Sequence, residues 1–301
     1  MKTKAAILYK TGQPLVIEDG ITVPDPGPGQ VLVQLSCSGV CHSQLMEVRG
    51  LRGEDRYLPH FLGHEGVGTV LAVGDGVSKT QEGDTVILTW IECSGMDAPG
   101  AVYKLGNTLI NSGRVTTFCE HSVVSENRCV PISQPLLPEC ASLLGCAVPT
   151  GAGIVLNTIN PGAEHSIAIF GLGGIGLSAL FGAVASGCHT IIGVDIDPAK
   201  LQLAKRLGAT HTVDASTCDP VEAIQEITGK NRLDFSVEAA GRTRTIEQAF
   251  ESVRTGGGLC VFASHPPAGQ TIALDPHNLI SGKQIKGSWG GNSKPDLDVP
   301  R

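Results

Sequence analysis

The pattern of apolar and polar residues changes near the middle of the chain. From Lys4 to about Val130, short apolar runs are separated by turn clusters rich in Gly, Pro and Asp, which predicts irregular, mostly β structure. The predicted strands of this half are Ala5–Tyr9, Val31–Ser36, Val67–Val73, Asp84–Thr89 and Phe118–Val124. From Pro161 onward, strand and helix periods alternate, which predicts a doubly wound parallel sheet.

The second half carries the more regular pattern. Its predicted strands are Ser166–Phe170, Thr190–Val194, Leu233–Glu238 and Gly258–Ala263. Its predicted helices are Leu177–Ser186, Pro198–Leu207, Pro220–Thr228 and Arg244–Arg254. Gln284–Trp289 is predicted to be an edge strand that could pair across a two-fold axis. The change of period places the domain boundary near residues 146–150.

The stretch His165–Asp197 contains the strongest local motif. An apolar strand is followed by Gly171, Gly173 and Gly176 in the order G-x-G-x-x-G. In this motif the first glycine permits a tight turn, the second lets the backbone approach a pyrophosphate, and the third lets the helix pack close to the strand. Asp195 ends the next strand, 24 residues after Gly171, where the motif places a carboxylate for the ribose 2′-OH. Because a carboxylate repels a 2′-phosphate, NAD is predicted rather than NADP.

A membrane span is the alternative interpretation of part of this stretch. Ile167–Ala185 is 19 residues long and carries no charge, which approaches the length of a spanning helix. The five glycines within it favour a strand and a turn instead.

Composition and the N-terminus narrow the class of protein. The 301 residues are enough for two domains with separate cores. A net charge of −7 without a basic run argues against a nucleic-acid partner. The start, MKTKAAILYKTGQ, lacks the apolar core and cleavage site of a signal peptide, so we expect a cytoplasmic chain without a membrane partner. The ten cysteines are then expected to be thiols or metal ligands.

Three residues that are distant in sequence could form a metal site. Cys41 lies in SGVCHS, His64 in GHEG and Cys146 in LLGC. Two thiolates and one imidazole neutralise a zinc ion and leave a fourth position open, as a Lewis acid for an alcohol requires. Each residue alone has a plainer interpretation, because buried cysteines usually pack and a histidine can be a hydrogen-bonded core residue.

These motifs together form a recognisable set. SGVCHS, GHEGVG and LLGCAVPTGAG, followed by GLGGIG and GVDID, resemble the zinc-dependent alcohol dehydrogenases of the medium-chain dehydrogenase/reductase superfamily. The resemblance implies an α/β chain with irregular β structure, with a GroES-like catalytic domain over residues 1–147 and a Rossmann NAD-binding domain over 148–291. It implies an oxidoreductase that transfers hydride between a small-molecule alcohol and NAD, with zinc and substrate in the cleft between the domains.

The same resemblance assigns roles to individual residues. The ligands of the catalytic zinc correspond to Cys41, His64 and Cys146. Glu65 corresponds to the acidic residue beside the metal, Ser43 to the hydroxyl that takes the alcohol proton, and His42 to a cofactor-phosphate contact. The implied cofactor-binding residues are His42, Thr150, Gly171, Gly173, Gly174, Ile175, Gly176, Asp195 and Lys200, the last two at the adenosine ribose.

The chain departs from the family pattern in its first half. Gln44 stands where the family commonly has an aspartate that orients the zinc-bound histidine; its amide oxygen could accept from His64 without carrying a full charge. Met46 replaces a histidine that ends the proton relay in many relatives, so Ser43 and the cofactor ribose would pass the proton to water. Only Cys93 remains of the four cysteines that hold a structural zinc, so we expect one catalytic zinc and no structural zinc.

The end of the chain is a further departure. The sequence stops at Arg301, after Ser288-Trp289-Gly290-Gly291, where relatives return to complete the catalytic domain. We expect residues 292–301 to begin a return segment that is otherwise missing. Three interpretations of this end stay open on the sequence: a fragment of a longer polypeptide, a shortened isoform, or a chain that folds poorly alone.

Two other functions stay open on the sequence. One is a zinc-free quinone or enone reductase of the same superfamily, which the three zinc-type residues and Asp195 disfavour. The other is a truncated, non-catalytic dinucleotide-binding protein. The substrate is weakly constrained: Tyr57, Leu58, Phe61 and Trp90 either line a pocket for an aromatic or medium-chain primary alcohol or fill the core.

The remaining polar and thiol side chains receive plainer interpretations. Glu92 and His60 are expected in solvated loops, and Cys119 and Cys129 are expected to pack. His265 follows a predicted strand, where it could meet the nicotinamide. The family associates through its Rossmann domains, so the resemblance also implies a homodimer or homotetramer.

Overall fold

The computed structural model describes residues 1–229 and 233–300. The chain forms two compact units. The first contains Met1–Cys146 together with the segment from Lys294 onward, and the second contains Ala147–Ser293.

A closed barrel forms one part of the first unit. In pairing order its strands are β1 (Lys2–Leu8), β2 (Val16–Thr22), β7 (Val102–Leu105), β8 (Thr108–Asn111) and β4 (His60–Phe61). Its core includes Ile7 and the rings of Phe61 and Tyr103, whose centroids are 4.5 Å apart. The buried Tyr103 hydroxyl accepts a hydrogen bond from the Val123 N–H at 2.7 Å, which satisfies its polar atom inside this core.

A second, antiparallel sheet completes the first unit and carries the candidate metal ligands near its ends. Its order is β10 (Cys129–Pro131), β6 (Thr85–Thr89), β5 (Glu65–Val73), β3 (Gln30–Ser38) and β9 (His121–Ser125). The helical segments of this unit are α1 (His42–Val48), α2 (Pro138–Ser142), α9 (Pro295–Asp298) and the 3₁₀ turns Glu126–Arg128 and Leu143–Gly145. Cys129 is buried in the core of the sheet, and Cys119 packs against the barrel core, which confirms both as packing residues.

A parallel sheet forms the centre of the second unit. Its order is β13 (His211–Asp214), β12 (Thr190–Asp195), β11 (Ser166–Phe170), β14 (Phe235–Glu238), β15 (Leu259–Phe262) and β16 (Gln284–Gly287). This order places the topological switch point between β11 and β14, where such sheets bind ligands outside the carboxyl ends of their strands. The predicted doubly wound sheet is therefore confirmed, and β16 is an edge strand as predicted.

Helices connect the strands of this sheet. They are α3 (Ala147–Gly153), continued by a π-helical segment (Ile154–Ile159), then α4 (Gly174–Ala185), α5 (Pro198–Arg206), α6 (Pro220–Thr228), α7 (Thr243–Ser252), α8 (Pro276–Ile280) and a 3₁₀ turn at Gly290–Asn292. The starts of α5 and α6 are specified locally: Asp197 accepts from the Ala199 N–H at 2.9 Å and Asp219 from the Val221 N–H at 2.8 Å. A proline follows each of these caps, where its missing N–H costs no hydrogen bond.

The membrane-span interpretation of Ile167–Ala185 is wrong. The stretch divides into β11 and α4, which the glycine turn separates. Over the described residues, no single helix has the length and apolar composition needed to cross a membrane, whereas one bent pair, Pro138–Gly145 with Ala147–Ile159, meets that criterion by length and composition only.

Glu126 holds the loop over residues 93–98, for which the sequence predicts no structural zinc. The Glu126 side chain is fully buried and accepts hydrogen bonds from the backbone N–H groups of Ser78, Lys79 and Met96, each at 2.6 Å. Burial opposes ionisation, but these three hydrogen bonds prevail and lower the pKa of Glu126 below its ordinary value. The ionised carboxylate therefore ties two loops together.

Replacing this carboxylate is expected to destabilise the protein. Glu126→Gln should lower the free energy of unfolding by about 2–4 kcal/mol at pH 7, because an amide accepts more weakly and brings N–H groups that have no partner. Because folding lowers the pKa of Glu126, the stability that its carboxylate contributes is fully present above the unfolded-state pKa. That stability is lost as the pH falls through the folded-state pKa. The urea midpoints of the wild type and of Glu126→Gln should therefore differ at pH 7 and become similar near pH 3. Equal midpoints at pH 7, as expected for the exposed Glu82→Gln control, would contradict the assignment.

Candidate metal centre and dinucleotide turn

Three loop segments bring the predicted ligands together in the first unit. Cys41 is the N-cap of α1, His64 directly precedes β5, and Cys146 follows the 3₁₀ turn Leu143–Gly145. Their candidate ligand atoms all lie within 4.8 Å of one another. His64 Nε2 is 3.2 Å from Cys146 Sγ, so the imidazole presents this nitrogen to the sulfurs.

The two thiols have opposite pKa shifts. A hydrogen bond shared with Cys146, and a further one with His64, lower the pKa of Cys41 to about 3 despite burial. The same contact with Cys41, together with burial, raises the pKa of Cys146 well above its usual value. The directions of the two shifts make the Cys41 sulfur the acceptor of this hydrogen bond and the Cys146 thiol its donor. The indole N–H of Trp90 also donates to Cys146 Sγ, at 3.1 Å.

The donor set fits a zinc ion. Two sulfurs and one imidazole nitrogen within 4.8 Å of one another are ligands that zinc prefers, and three of them leave one coordination position open. Cys41, Cys146 and His64 would hold the ion, and binding would release the protons that they now share.

Gln44 supports this group in a way that the sequence did not predict. Its Oε1 accepts from the Cys41 N–H at 2.9 Å in a capping box at the start of α1. Its amide nitrogen, not its oxygen, contacts His64 Nδ1, so the expectation that the oxygen accepts from His64 is wrong. The Gln44 side-chain oxygen instead accepts from the Cys41 N–H in the capping box. Zinc binding at His64 Nε2 would place the imidazole proton on Nδ1. The Gln44 amide would then have to rotate by about 180° so that its oxygen, not its nitrogen, faces this proton.

The predicted catalytic side chains differ in their surroundings. Glu65 begins β5, is buried, and its charge contributes to the raised pKa of Cys146. The Ser43 Oγ is buried, and both its hydroxyl and its backbone N–H help to lower the pKa of Cys41. His42 is the first residue of α1 and is exposed.

The glycine turn follows β11 in the second unit. Gly171 has a φ of +85°, a conformation that favours glycine. A Cβ at Gly176 would lie 1.8 Å from the Gly171 carbonyl oxygen, whereas a Cβ at Gly173 would meet no atom within 4 Å. Gly176 therefore packs the start of α4 against the turn, and Gly173 borders open space. Gly174 and Ile175 form the first turn of α4.

The acid at the end of β12 is anchored by the backbone. Asp195 accepts from the Leu172 N–H at 2.7 Å and from the N–H groups of Ile196 and Asp197 at 2.8 and 3.0 Å. Lys200 Nζ lies 3.8 Å from the same carboxylate. Thr150 lies on α3, and its buried Oγ1 has no hydrogen-bond partner among the described residues.

A cavity of about 550 Å³ lies in the first unit beside His64 and Trp90. Tyr57 and Phe61 also line it, although Phe61 belongs to the barrel core as well. Leu58 is not part of the lining. Both interpretations of the aromatic cluster are therefore correct in part.

His60 is not a solvated loop residue, so that prediction is wrong. It is buried in β4, its Nδ1 contacts the Phe61 carbonyl oxygen, and its Nε2 is 2.8 Å from Asp55 Oδ2. These two contacts satisfy both ring nitrogens and make burial tolerable. Together with Glu47, the pair forms a second group of donor atoms within 4.8 Å of one another.

Three other predicted residues are not members of the metal-ligand group. Glu92 is exposed, 3.8 Å from Arg128, in agreement with a solvated position. The Cys93 thiol donates to the Asn127 carbonyl at 3.1 Å, and burial raises its pKa to about 11. His265 packs edge-on against Trp289 in the second unit, with ring centroids 6.0 Å apart.

The sequence matches two family models. Residues 27–134 match the alcohol dehydrogenase GroES-like domain, and residues 174–299 match the zinc-binding dehydrogenase domain. An S-(hydroxymethyl)glutathione dehydrogenase of Synechocystis sp. is 35% identical, with 100% of this chain and 88% of that protein covered. The Arabidopsis thaliana protein alcohol dehydrogenase-like 2 is 32% identical, with 100% and 85% covered.

Solved structures agree with these matches. Benzyl alcohol dehydrogenase from Acinetobacter calcoaceticus superimposes with a TM-score of 0.89 at 30% identity, covering 100% of this chain and 87% of that one. A zinc-binding dehydrogenase from Sinorhizobium meliloti 1021, whose structure contains NADP, gives a TM-score of 0.77 at 25% identity over 96% and 84% of the two chains. The chain thus belongs to the zinc-binding alcohol dehydrogenases of the medium-chain family. The expected fold class, a GroES-like domain with a Rossmann domain, is confirmed.

Proposed function

We propose that this chain is a zinc- and NAD-dependent alcohol dehydrogenase that transfers hydride between a primary alcohol and NAD. The observation that carries the proposal is the convergence of Cys41, His64 and Cys146 within 4.8 Å beside a cavity. A zinc-free quinone or enone reductase would have no use for such a donor set. We also propose that residues 1–147 and 148–291 act as the catalytic and cofactor-binding domains.

The metal ligands and their supports would prepare the alcohol. When bound by the two sulfurs and His64 Nε2, zinc supplies a Lewis acid that lowers the pKa of a hydroxyl group. Cys41 and Cys146 provide the two negative charges that neutralise the ion. Glu65 is buried near these ligands, and its negative charge would partly offset the positive charge of the ion.

Ser43 is the proposed proton acceptor. Its Oγ is buried beside Cys41, whose pKa it helps to lower, and from there it would accept the proton of a substrate hydroxyl at hydrogen-bond distance. Met46 is buried on the same helix and offers no titratable group. The proton would therefore leave through Ser43 and the cofactor ribose. We assign His42 to a cofactor phosphate because it is exposed at the N-terminus of α1.

The glycine turn and Asp195 are the proposed NAD site. The open space at Gly173 allows a pyrophosphate to approach the N-terminus of α4. The Asp195 carboxylate, fixed by three backbone N–H groups, would accept from the adenosine ribose and repel a 2′-phosphate. Lys200 lies beside it, and Thr150, whose buried hydroxyl lies on α3, is a further proposed cofactor contact.

Metal removal tests the proposed function. Protein purified without chelator should contain about one zinc per chain by elemental mass spectrometry, in accord with one catalytic and no structural site. Treatment with 1,10-phenanthroline should abolish alcohol-dependent NADH formation, and added zinc should restore it, because the metal polarises the hydroxyl. Benzyl alcohol is a suitable first substrate, since a structural neighbour at 30% identity is a benzyl alcohol dehydrogenase.

The alternatives predict other results. A zinc-free reductase would consume NADPH with an enone and would keep its activity in the chelator. A non-catalytic dinucleotide-binding protein would bind NADH without turnover. Light scattering after size exclusion would test the proposed homodimer or homotetramer, for which the edge strand β16 offers a pairing surface.

A further inference from the structure

Arg128 is a mostly buried cation in the wall of the cavity beside His64 and Trp90. It ends the 3₁₀ turn Glu126–Arg128, and its side chain is only 12% exposed. The sequence motifs that define the metal and cofactor sites do not include it. A charge at this depth requires compensation, because burying an unpaired ion is costly.

The protein supplies little of that compensation. One guanidinium N–H donates to the Trp90 carbonyl at 2.8 Å. Among the described residues the nearest carboxylate, that of Glu92, is 3.8 Å away and 72% exposed, where an ion pair is weak. A guanidinium has five N–H donors, so most of those on Arg128 are left for a ligand.

The other charged residues of the cavity are paired or exposed. Among the residues that the structure describes, its lining contains three arginines and one carboxylate, that of Glu47. Arg114 is engaged by Asp97 through two hydrogen bonds, at 2.7 and 3.1 Å. Arg52 lies 3.9 Å from Glu47 and is half exposed. Arg128 is therefore the least exposed of these three arginines, and the carboxylate near it, that of Glu92, lies mostly in solvent.

We propose that Arg128 binds a carboxylate group on the substrate, so that the chain prefers alcohols or aldehydes that carry an anionic group. This inference rests on the proposed function, because the reacting hydroxyl must reach the metal ligands while the acid reaches Arg128. A guanidinium matches a planar carboxylate through paired hydrogen bonds. A cavity of about 550 Å³ has room for a ligand that spans both groups. The aromatic walls of Tyr57 and Trp90 suit a ring between them.

Matched substrates test the preference kinetically. Wild-type protein should oxidise 4-(hydroxymethyl)benzoate with a higher kcat/KM than its neutral isostere 4-(hydroxymethyl)benzamide. Arg128→Gln should lower kcat/KM for the benzoate by about 10- to 100-fold, the usual effect of a charged hydrogen bond, and should change the benzamide by less than about 3-fold. Arg128→Lys should recover part of the loss. The exposed Arg56→Gln removes the same charge outside the cavity and should change neither substrate. An unchanged ratio in Arg128→Gln overturns the proposal while the dehydrogenase function stands.

A binding experiment decides the matter even if no alcohol is oxidised. The chain has two tryptophans, so Trp289→Phe leaves Trp90, whose carbonyl is bonded to Arg128, as the sole tryptophan reporter. Benzoate should change this fluorescence at concentrations at least about 10-fold lower than benzamide does, and the difference should disappear in Trp289→Phe/Arg128→Gln. If benzoate binds equally well without Arg128, the metal or another group holds it, and the proposal is wrong.

Discussion

Cys146→Ala is expected to remove zinc from the chain and to lower kcat/KM for an alcohol by at least about 1000-fold. Cys146 Sγ is 3.2 Å from His64 Nε2 and shares a hydrogen bond with the Cys41 sulfur. The variant retains only one sulfur and one imidazole. Two ligands do not hold zinc in the geometry that catalytic sites use, and the hydroxyl then loses the Lewis acid on which its ionisation depends. Zinc content and alcohol-dependent NADH formation should therefore fall together.

A nearby cysteine provides the control for this prediction. Cys140 lies on α2, six positions before Cys146, and is exposed. Cys140→Ala should keep both zinc and activity. Circular dichroism should give the same spectrum for the two variants, because neither cysteine belongs to one of the hydrophobic core clusters of the described residues. If Cys146→Ala kept one zinc per chain together with its activity, the ligand assignment would be wrong.

The parts of the molecule that the sequence predicted are those that short stretches specify by themselves. The second half has apolar strands that are buried on both faces, and its helices begin at aspartate caps followed by proline. Both signals lie within a few neighbouring residues. The bounds of β11 and α6 were accordingly correct to the residue. The motif Gly171 to Gly176 is likewise recognised from a short stretch, and a Cβ at its last glycine would collide with the carbonyl oxygen of its first.

The barrel was predicted less well for a physical reason. β2, β7 and β8 were missed because their residues are largely exposed, so they show little apolar alternation. These strands exist because closure of the barrel pairs their backbones. The two-residue strand that buries His60 was missed because it is too short to show any pattern and is defined only by its pairing in the barrel. Its burial depends on Asp55 and on the Phe61 carbonyl, which no sequence pattern relates to it.

The candidate site shows the same division. Cys41, His64 and Cys146 were found because their flanking motifs are specific, although 82 positions separate the last two. The role of Gln44 was misjudged, because only the three-dimensional structure reveals that the capping box takes its oxygen. Arg128 and Glu126 gave no signal, since an arginine or glutamate in a polar turn is usually solvated. The roles inferred for Glu126 and Arg128 depend on burial by segments that are distant in sequence.

Gly176→Ala and Gly173→Ala should separate folding from cofactor binding at the dinucleotide turn. A Cβ at Gly176 would lie 1.8 Å from the Gly171 carbonyl oxygen, so α4 would have to move away from the turn. We expect a loss of about 3 kcal/mol or more in the free energy of unfolding, as for other forced overpacking. Thermal unfolding followed by circular dichroism measures it, and an unchanged Tm would contradict the packing role.

Gly173→Ala should weaken NADH binding and leave the stability of the fold nearly unchanged. Its backbone has φ −83° and ψ −163°, which alanine adopts without strain, and the added Cβ meets no protein atom within 4 Å. We therefore expect the unfolding free energy to stay within about 1 kcal/mol of wild type. The methyl group would instead occupy the space that a pyrophosphate needs, so the Kd for NADH should rise by about 10-fold or more. Fluorescence titration with NADH measures this Kd. Unchanged affinity in a folded Gly173→Ala variant would place the pyrophosphate elsewhere, because an unoccupied space at this glycine is what the motif contributes to binding.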